Sequence, residues 1–277
     1  MSEPSSGKVQ ITADALIHLR TSSPLACRLG IECPYDPLFL TAAGADLAKM
    51  ALSLDPVYEQ FNLVRYAWFA RRMSEQAGRF SQMVVLGVGY DTRSLSLAPL
   101  RDGDCRVFEL DYPDLLAVKR QVLTDNGVSL PDGLRFVGCD LNGGDPGPRL
   151  AEAGFDPTQP CAAFMEGAFF FLRGDRAAAL LDPATVGLAR GSALTFDAWT
   201  AMRARRLNEK LMQKTGRRLF GDAPLGDSVE ETAATLRRKG YGDVAVTPLD
   251  EITRQYGVEE IADPMQDSWL AIEARVA

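Results

Sequence analysis

From Gln82 onward the chain alternates short apolar, β-rich runs with helical stretches, and this alternation is the strongest constraint on its fold. The runs are "QMVVLG", "CRVFEL", "LRFVGC", "CAAFME" and "SALTFDAW", the last ending at Trp199. Between them lie "TRSLSLAPL", "YPDLLAVKRQVLTDNG" and "GDRAAALLDPATVGLA". Pro113 suits a helix's first turn, Asn126-Gly127 suits its end, and Pro183 predicts a break. Strands joined through helices pair in parallel with right-handed crossovers, so an α/β fold is expected. Two later strands, "DVAVTPL" and "SWLAIEARV", are separated by "DEITRQYGVEEIADPMQD", which leaves their pairing open. The Gly/Pro-rich stretch from Asn142 to Pro160 reads as a loop.

Ahead of the strands, residues 12–54 read as broken helix. Val57, Phe61, Val64 and Trp68 then recur at helical spacing, and Gly78 is a stop. We expect a helical cap and lead-in helix over 1–80, a core over 81–277, and a helical insertion at about 199–227. No run approaches the roughly 20 apolar residues of a membrane helix, so no membrane is expected. "MSEPSSGKVQ" has no apolar centre, so no secretory leader is expected.

The net charge of −7 disfavours nucleic acid as a partner. The basic stretch from Arg203 to Arg218 reads as a helix with Leu207 and Leu211 inward and a solvated or mildly cationic outer face. Five cysteines without a C-x-x-C read as free thiols, consistent with a reducing, cytoplasmic setting. The single histidine, His18, excludes a histidine-built zinc site, and no metal is expected.

Parallel sheets place ligands at the carboxyl ends of their strands. After the first strand, "GVGYDTR" supplies Gly87 and Gly89, which let backbone N–H groups approach a ligand. A dinucleotide fingerprint wants a third glycine where Thr92 stands. The second strand ends near Asp111, with Glu109 beside it, and an acid there suits ribose hydroxyls. Asp140 and Leu141 follow the third strand as an adenine station, and Glu166 with Gly167 follows the fourth. Acids fit beside a cationic sulfonium and ammonium better than beside a pyrophosphate.

"VVLGVGYDTR", "VFELDYPDLLAVKR", "GCDL", "FMEGAFFFL", "DEITRQYG" and the N-terminal "TADALIHLR…YDPLFLT" together resemble the leucine carboxyl methyltransferase family. The closer resemblance is to its bacterial branch of polyketide-type O-methyltransferases, from about Thr12 onward. The resemblance implies a Rossmann-like class I methyltransferase: a mostly parallel seven-stranded sheet with an antiparallel last strand, plus helical caps. It also implies S-adenosyl-L-methionine as cofactor. By resemblance Gly87 and Gly89 form the cofactor turn, Asp111 takes the ribose, and Asp140 with Leu141 takes the adenine. Glu166 would lie at the amino-acid or sulfonium side, and Arg65 would grip the cofactor carboxylate. Two positions depart from the family pattern: Ala70 stands where an acid is frequent, and Phe171 where a tyrosine is common.

Methyl transfer from a sulfonium relies on positioning and desolvation. A carboxylate acceptor, which ordinarily ionises near pH ~4, needs no base, whereas a phenol near ~10 or an alcohol does. With one histidine, O-methylation of a carboxylate is the expected reaction, and the resemblance implies a small-molecule acceptor of secondary-metabolite type. A phenol or alcohol with His18 or an acid as base, or an electron-rich carbon, remains open. A nicotinamide-dependent oxidoreductase and a non-catalytic binding module are the competing classes. Tyr35, Phe170, Phe171 and Trp199 are candidate walls for the substrate, with Tyr66, Trp68, Phe169 and Tyr256 as further aromatics. Arg203 and Arg20 are candidate anion holders.

Overall fold

The protein is described from a computed structural model covering residues 6–55, 57–173, 175–216, 218, 220–221, 225–226, 228–258 and 268–277. Helices α1 (Ser6–Ser22), α2 (Pro24–Arg28), α3 (Ala42–Leu54) and α4 (Tyr58–Ala77) precede the sheet. The Thr41 hydroxyl caps α3 by accepting from Gly44 N at 3.0 Å, and it donates to Asp14 Oδ2 at 2.8 Å. One side chain thus ends the loop before α3 and ties α3 to α1. Val57, Phe61, Val64 and Trp68 are all buried, as their spacing predicts.

The strands are β1 (Gln82–Leu86), β2 (Arg106–Asp111), β3 (Leu134–Gly138), β4 (Ala162–Met165), β5 (Ala193–Trp199), β6 (Tyr241–Pro248) and β7 (Trp269–Val276). They form one sheet in the order β3-β2-β1-β4-β5-β7-β6. Pairings β1–β2, β1–β4, β2–β3 and β4–β5 are parallel, and β7 runs antiparallel to both β5 and β6. The long connection therefore returns β7 between β5 and β6 rather than to the sheet's edge.

Helices α5 (Arg93–Ser96) and α6 (Ala98–Arg101) follow β1, α7 (Pro113–Asp125) follows β2, and α8 (Pro146–Glu152) precedes β4. Next come α9 (Arg176–Leu180) and α10 (Pro183–Val186), then α11 (Ala201–Thr215), α12 (Val229–Arg238) and α13 (Leu249–Gln255). Because side chains alternate across a strand, Val84, Leu86, Phe108 and Leu110 join one core cluster. Met83, Val85, Val107 and Phe164 join the other, under α4.

Two helices lie where the sequence reads as connection. α8 occupies part of the Asn142–Pro160 stretch: Pro146 and Pro148 both fall in its first turn, where no N–H is required of them. α13 buries Leu249 and Ile252 directly after Pro248. The expected helix over "TRSLSLAPL" is two short turns split at Leu97. Pro183 opens α10, with the Asp182 side chain accepting from Ala184 N at 3.0 Å. Of the insertion expected at about 199–227, residues 217, 219, 222–224 and 227 lie outside the described residues.

Candidate functional site

The chain order reverses between β1 and β4, which opens a crevice at their carboxyl ends. A cavity of about 210 Å³ lies there. Gly87, Gly89, Asp111, Leu141, Glu166 and Arg65 line it, as do Phe170, Phe171 and Trp199. These residues come from strand tips, α4 and α11's lead-in, far apart in sequence and brought together by the sheet's register.

The glycine turn is built for close approach. Gly87 and Gly89 have φ of 70° and 55°. A Cβ on Gly87 would sit 2.4 Å from the Ala168 Cβ. Gly89 N donates to Asp111 Oδ2 at 2.7 Å, and Tyr112 N donates to Asp111 Oδ1 at 2.7 Å. Burial nevertheless raises the Asp111 carboxyl above its usual range, against the pull of those two N–H groups. Glu109 serves a different purpose: it pairs with Lys119 Nζ at 2.7 Å, accepts from the Ser94 hydroxyl, and does not line the cavity.

The acid and base of "GYDTR" belong to an ion network at the cavity's polar end. Arg93 Nε donates to Asp91 Oδ2 at 2.7 Å, and its terminal nitrogen reaches both Asp91 and Glu166. Arg65 donates to Glu166 Oε1 and to Asp197 Oδ2, each at 3.1 Å. Trp269 Nε1 donates to the same Asp197 oxygen at 2.9 Å, and Gly167 N to the other at 2.7 Å. Arg20 pairs with Asp36 at 2.6 Å. The guanidiniums of Arg93 and Arg20 lie 4.2 and 4.6 Å from the centre of the Tyr66 ring. Burial works against charge on Asp91, but the Arg93 guanidinium outweighs it and holds the carboxyl below its usual range. At Asp197 burial prevails over Arg65, Gly167 and Trp269, and the carboxyl is raised.

Asp140, Tyr35, Arg203 and His18, singled out from the sequence, stand off the cavity wall. Asp140 accepts from Asn142 N at 2.9 Å and so caps its own turn, while its neighbours Cys139, Leu141 and Asn142 line the cavity. Tyr35 packs instead with the Phe39–Tyr90 cluster. Arg203 is fully buried and bound to Asp55 at 2.6 Å and to the Ser268 hydroxyl at 3.1 Å, so its guanidinium holds structure together rather than an external anion. His18 donates through Nε2 to the Thr41 carbonyl at 3.0 Å. Among the further aromatics only Tyr66 is on the wall; Arg20 is there too. Sequence reasoning left out Asp91, Arg93 and Asp197. "YDTR" directly after the glycines was the available signal for the first two; for Asp197, inside a strand, local sequence offered none.

Residues 32–185 match the family model of leucine carboxyl methyltransferase. A provisionally named S-adenosyl-L-methionine-dependent methyltransferase of Mycolicibacterium vanbaalenii is 34% identical over 201 residues, 71% of this chain and 64% of that protein. One of Streptomyces coelicolor is 34% identical over 199 residues, 68% of this chain and 62% of that protein. The chain thus spans a little under two thirds of these two relatives. One of Mycolicibacterium smegmatis is 30% identical over 244 residues, 78% of this chain and 76% of that protein. A solved methyltransferase-like structure from Thermobifida fusca superposes with a TM-score of 0.64 at 17% identity, covering 100% of this chain and 99% of that one. At that identity it speaks for the fold, a Rossmann-like methyltransferase sheet. With the family model spanning more than half of its residues, the chain belongs to the leucine carboxyl methyltransferase family.

Proposed function

We propose that the chain is an S-adenosyl-L-methionine-dependent methyltransferase whose acceptor is a small molecule of secondary-metabolite type, methylated on a carboxylate. The observation that carries this reading is the cavity at the strand tips, lined by a bare-backbone turn and by Asp111, which Gly89 N holds at 2.7 Å. The residues fit the cofactor. Gly87 and Gly89 put bare backbone on the cavity wall, Asp111 can accept from ribose hydroxyls, and Leu141 offers an apolar face for adenine. The Arg65–Glu166 pair presents opposite charges to the cofactor's carboxylate and ammonium. When bound, the cofactor supplies a methyl group on a positively charged sulfur, and its transfer to a carboxylate leaves no proton to remove.

The chain's own contribution is then to hold, orient and exclude water. The helices before β1 and the α11 region act as two caps over the acceptor, as the proposed division at residues 80 and 81 implies. A nicotinamide reading is weaker: Thr92 stands where the third glycine of a dinucleotide turn would be, and Asp91 and Glu166 on the cavity wall would face a pyrophosphate. Among the described residues no helix is long and apolar enough to cross a membrane. All five cysteines are free, which suits the cytoplasmic setting we propose.

Calorimetry with S-adenosylhomocysteine and with NAD tests the reading: the first should bind and the second should not. Asp111→Ala should weaken S-adenosylhomocysteine by at least about tenfold, ~1.4 kcal/mol. Unchanged affinity in a folded variant would remove Asp111 from the site. His18→Ala should leave methyl-ester formation within about twofold of wild type, since a carboxylate needs no base. A collapsed rate with intact cofactor affinity would point to a hydroxyl acceptor instead.

A further inference from the structure

The cavity has two unlike ends. At the strand tips it is ionic. Between α3 and α11 it is walled by Met50 and Leu54 from one helix and Leu207 and Leu211 from the other. The Phe170 and Trp199 rings close that end, stacked at 4.1 Å and 17°, with Phe220 edge-on to Trp199 at 4.6 Å. Polar ties between the two helices sit outside this apolar wall: Lys210 Nζ donates to the Leu54 carbonyl at 3.0 Å and Lys214 Nζ to the Ser53 hydroxyl at 2.6 Å.

Each guanidinium on the described lining already holds a carboxylate: Arg20 holds Asp36, Arg65 holds Glu166 and Asp197, and Arg93 holds Asp91 and Glu166. Asp55, also on the lining, is held by Arg203. An acceptor with several negative charges would therefore be stripped of water without gaining an uncommitted cation, which is costly.

Tyr58 differs from these groups. It lines the cavity at the start of α4, on the helix face that continues through Asn62 and Arg65. Asn62 Nδ2 donates to the Tyr58 carbonyl at 2.6 Å, which fixes the first turn. The Tyr58 hydroxyl has no hydrogen-bond partner among the described residues. Burial, with Arg65 pulling down and Asp55 pushing up, raises the phenol to about 12, so it keeps its proton and remains a donor. Leu54 and Asp55 precede it at the apolar end, and Arg65 follows it toward the ionic end.

Resting on the methyltransferase reading, we propose that the acceptor is an apolar monocarboxylic acid, its hydrocarbon body between α3 and α11 and its carboxylate held by the Tyr58 hydroxyl. One negative charge and one neutral donor match, and the body meets walls that are apolar and aromatic apart from Asp55, whose charge Arg203 holds.

Octanoate is the probe, with succinate and citrate as polyanionic controls, each titrated calorimetrically into the protein saturated with S-adenosylhomocysteine. Octanoate should bind, and succinate and citrate should bind at least about tenfold more weakly. Tyr58→Phe should weaken octanoate by about tenfold while leaving S-adenosylhomocysteine affinity and the thermal midpoint unchanged. Ala51→Phe, which fills the α3 wall, should abolish octanoate binding and spare S-adenosylhomocysteine. Absence of octanoate binding to a protein that binds S-adenosylhomocysteine overturns the inference, as does equal binding of citrate or an unaffected Tyr58→Phe. Failure of the wild type to bind S-adenosylhomocysteine overturns the methyltransferase reading instead, and octanoate binding to the unliganded protein would then still support the apolar acid site.

Discussion

Arg65→Ala should lose roughly 3–5 kcal/mol of folding stability near neutral pH, the cost of breaking a buried ion pair from one side. Arg65 is 3% exposed and Asp197 is fully buried, so the variant strands Asp197 on its Trp269 and Gly167 donors alone. Glu166 keeps Arg93. The deficit should depend on pH with a definite sign. The Asp197 carboxyl already stands above its usual range, because burial outweighs its partners. A carboxyl raised in the native state binds its proton more readily folded than unfolded, so acid favours the fold and the benefit fades as pH climbs through the native pKa. Removing Arg65 pushes the carboxyl further the same way. Urea unfolding near pH 7 and near pH 5 should therefore show the gap between variant and wild type narrowing in acid. A gap that widens in acid would mean Asp197 is not the group left unpaired.

Gly87→Ala should reduce S-adenosylhomocysteine affinity by about a hundredfold, ~2.7 kcal/mol. Two effects combine. A side chain at φ 70° costs about 1–3 kcal/mol of backbone strain. The added Cβ would also fall 2.4 Å from the Ala168 Cβ, so the turn after β1 and the tip of β4 must part. That separation displaces the backbone facing the cavity. Gly78→Ala is the matched control: Gly78 has φ −80° with nothing within 4 Å of its added Cβ, and binding should not change. Equal affinity for Gly87→Ala and wild type would show that the turn does not touch the ligand.

The strands were legible because each is a short apolar run bounded by glycine, proline or acid, and buried sheets require that pattern. α8 was hidden because Pro146 and Pro148 read as loop, although a helix's first turn tolerates both. The strand-tip residues were legible for a topological reason: whatever follows a parallel strand lies at one edge of the sheet. Side-chain pairing was not. Arg65 meets Asp197 across 132 positions and Arg203 meets Asp55 across 148, and no local period encodes such distances. Arg203 shows the consequence. Its helix reads as a basic outer face, and Arg205 and Arg206 do face outward, but Asp55 makes an interior position tolerable for Arg203 alone. Asp140 shows the reverse, an acid at the expected strand tip whose nearest donor is its own turn.

The place of β7 bears on how the molecule is made. As the chain leaves the ribosome, β6 emerges before β7, yet it has no neighbour in the sheet until β7 slots between it and β5. Until then β5 presents an unzipped edge, and the Asp197 carboxylate on it lacks the indole that later binds it. The nascent chain can lay down its first five strands in order, but the hydrogen bonds around Asp197 are complete only once translation has passed Trp269.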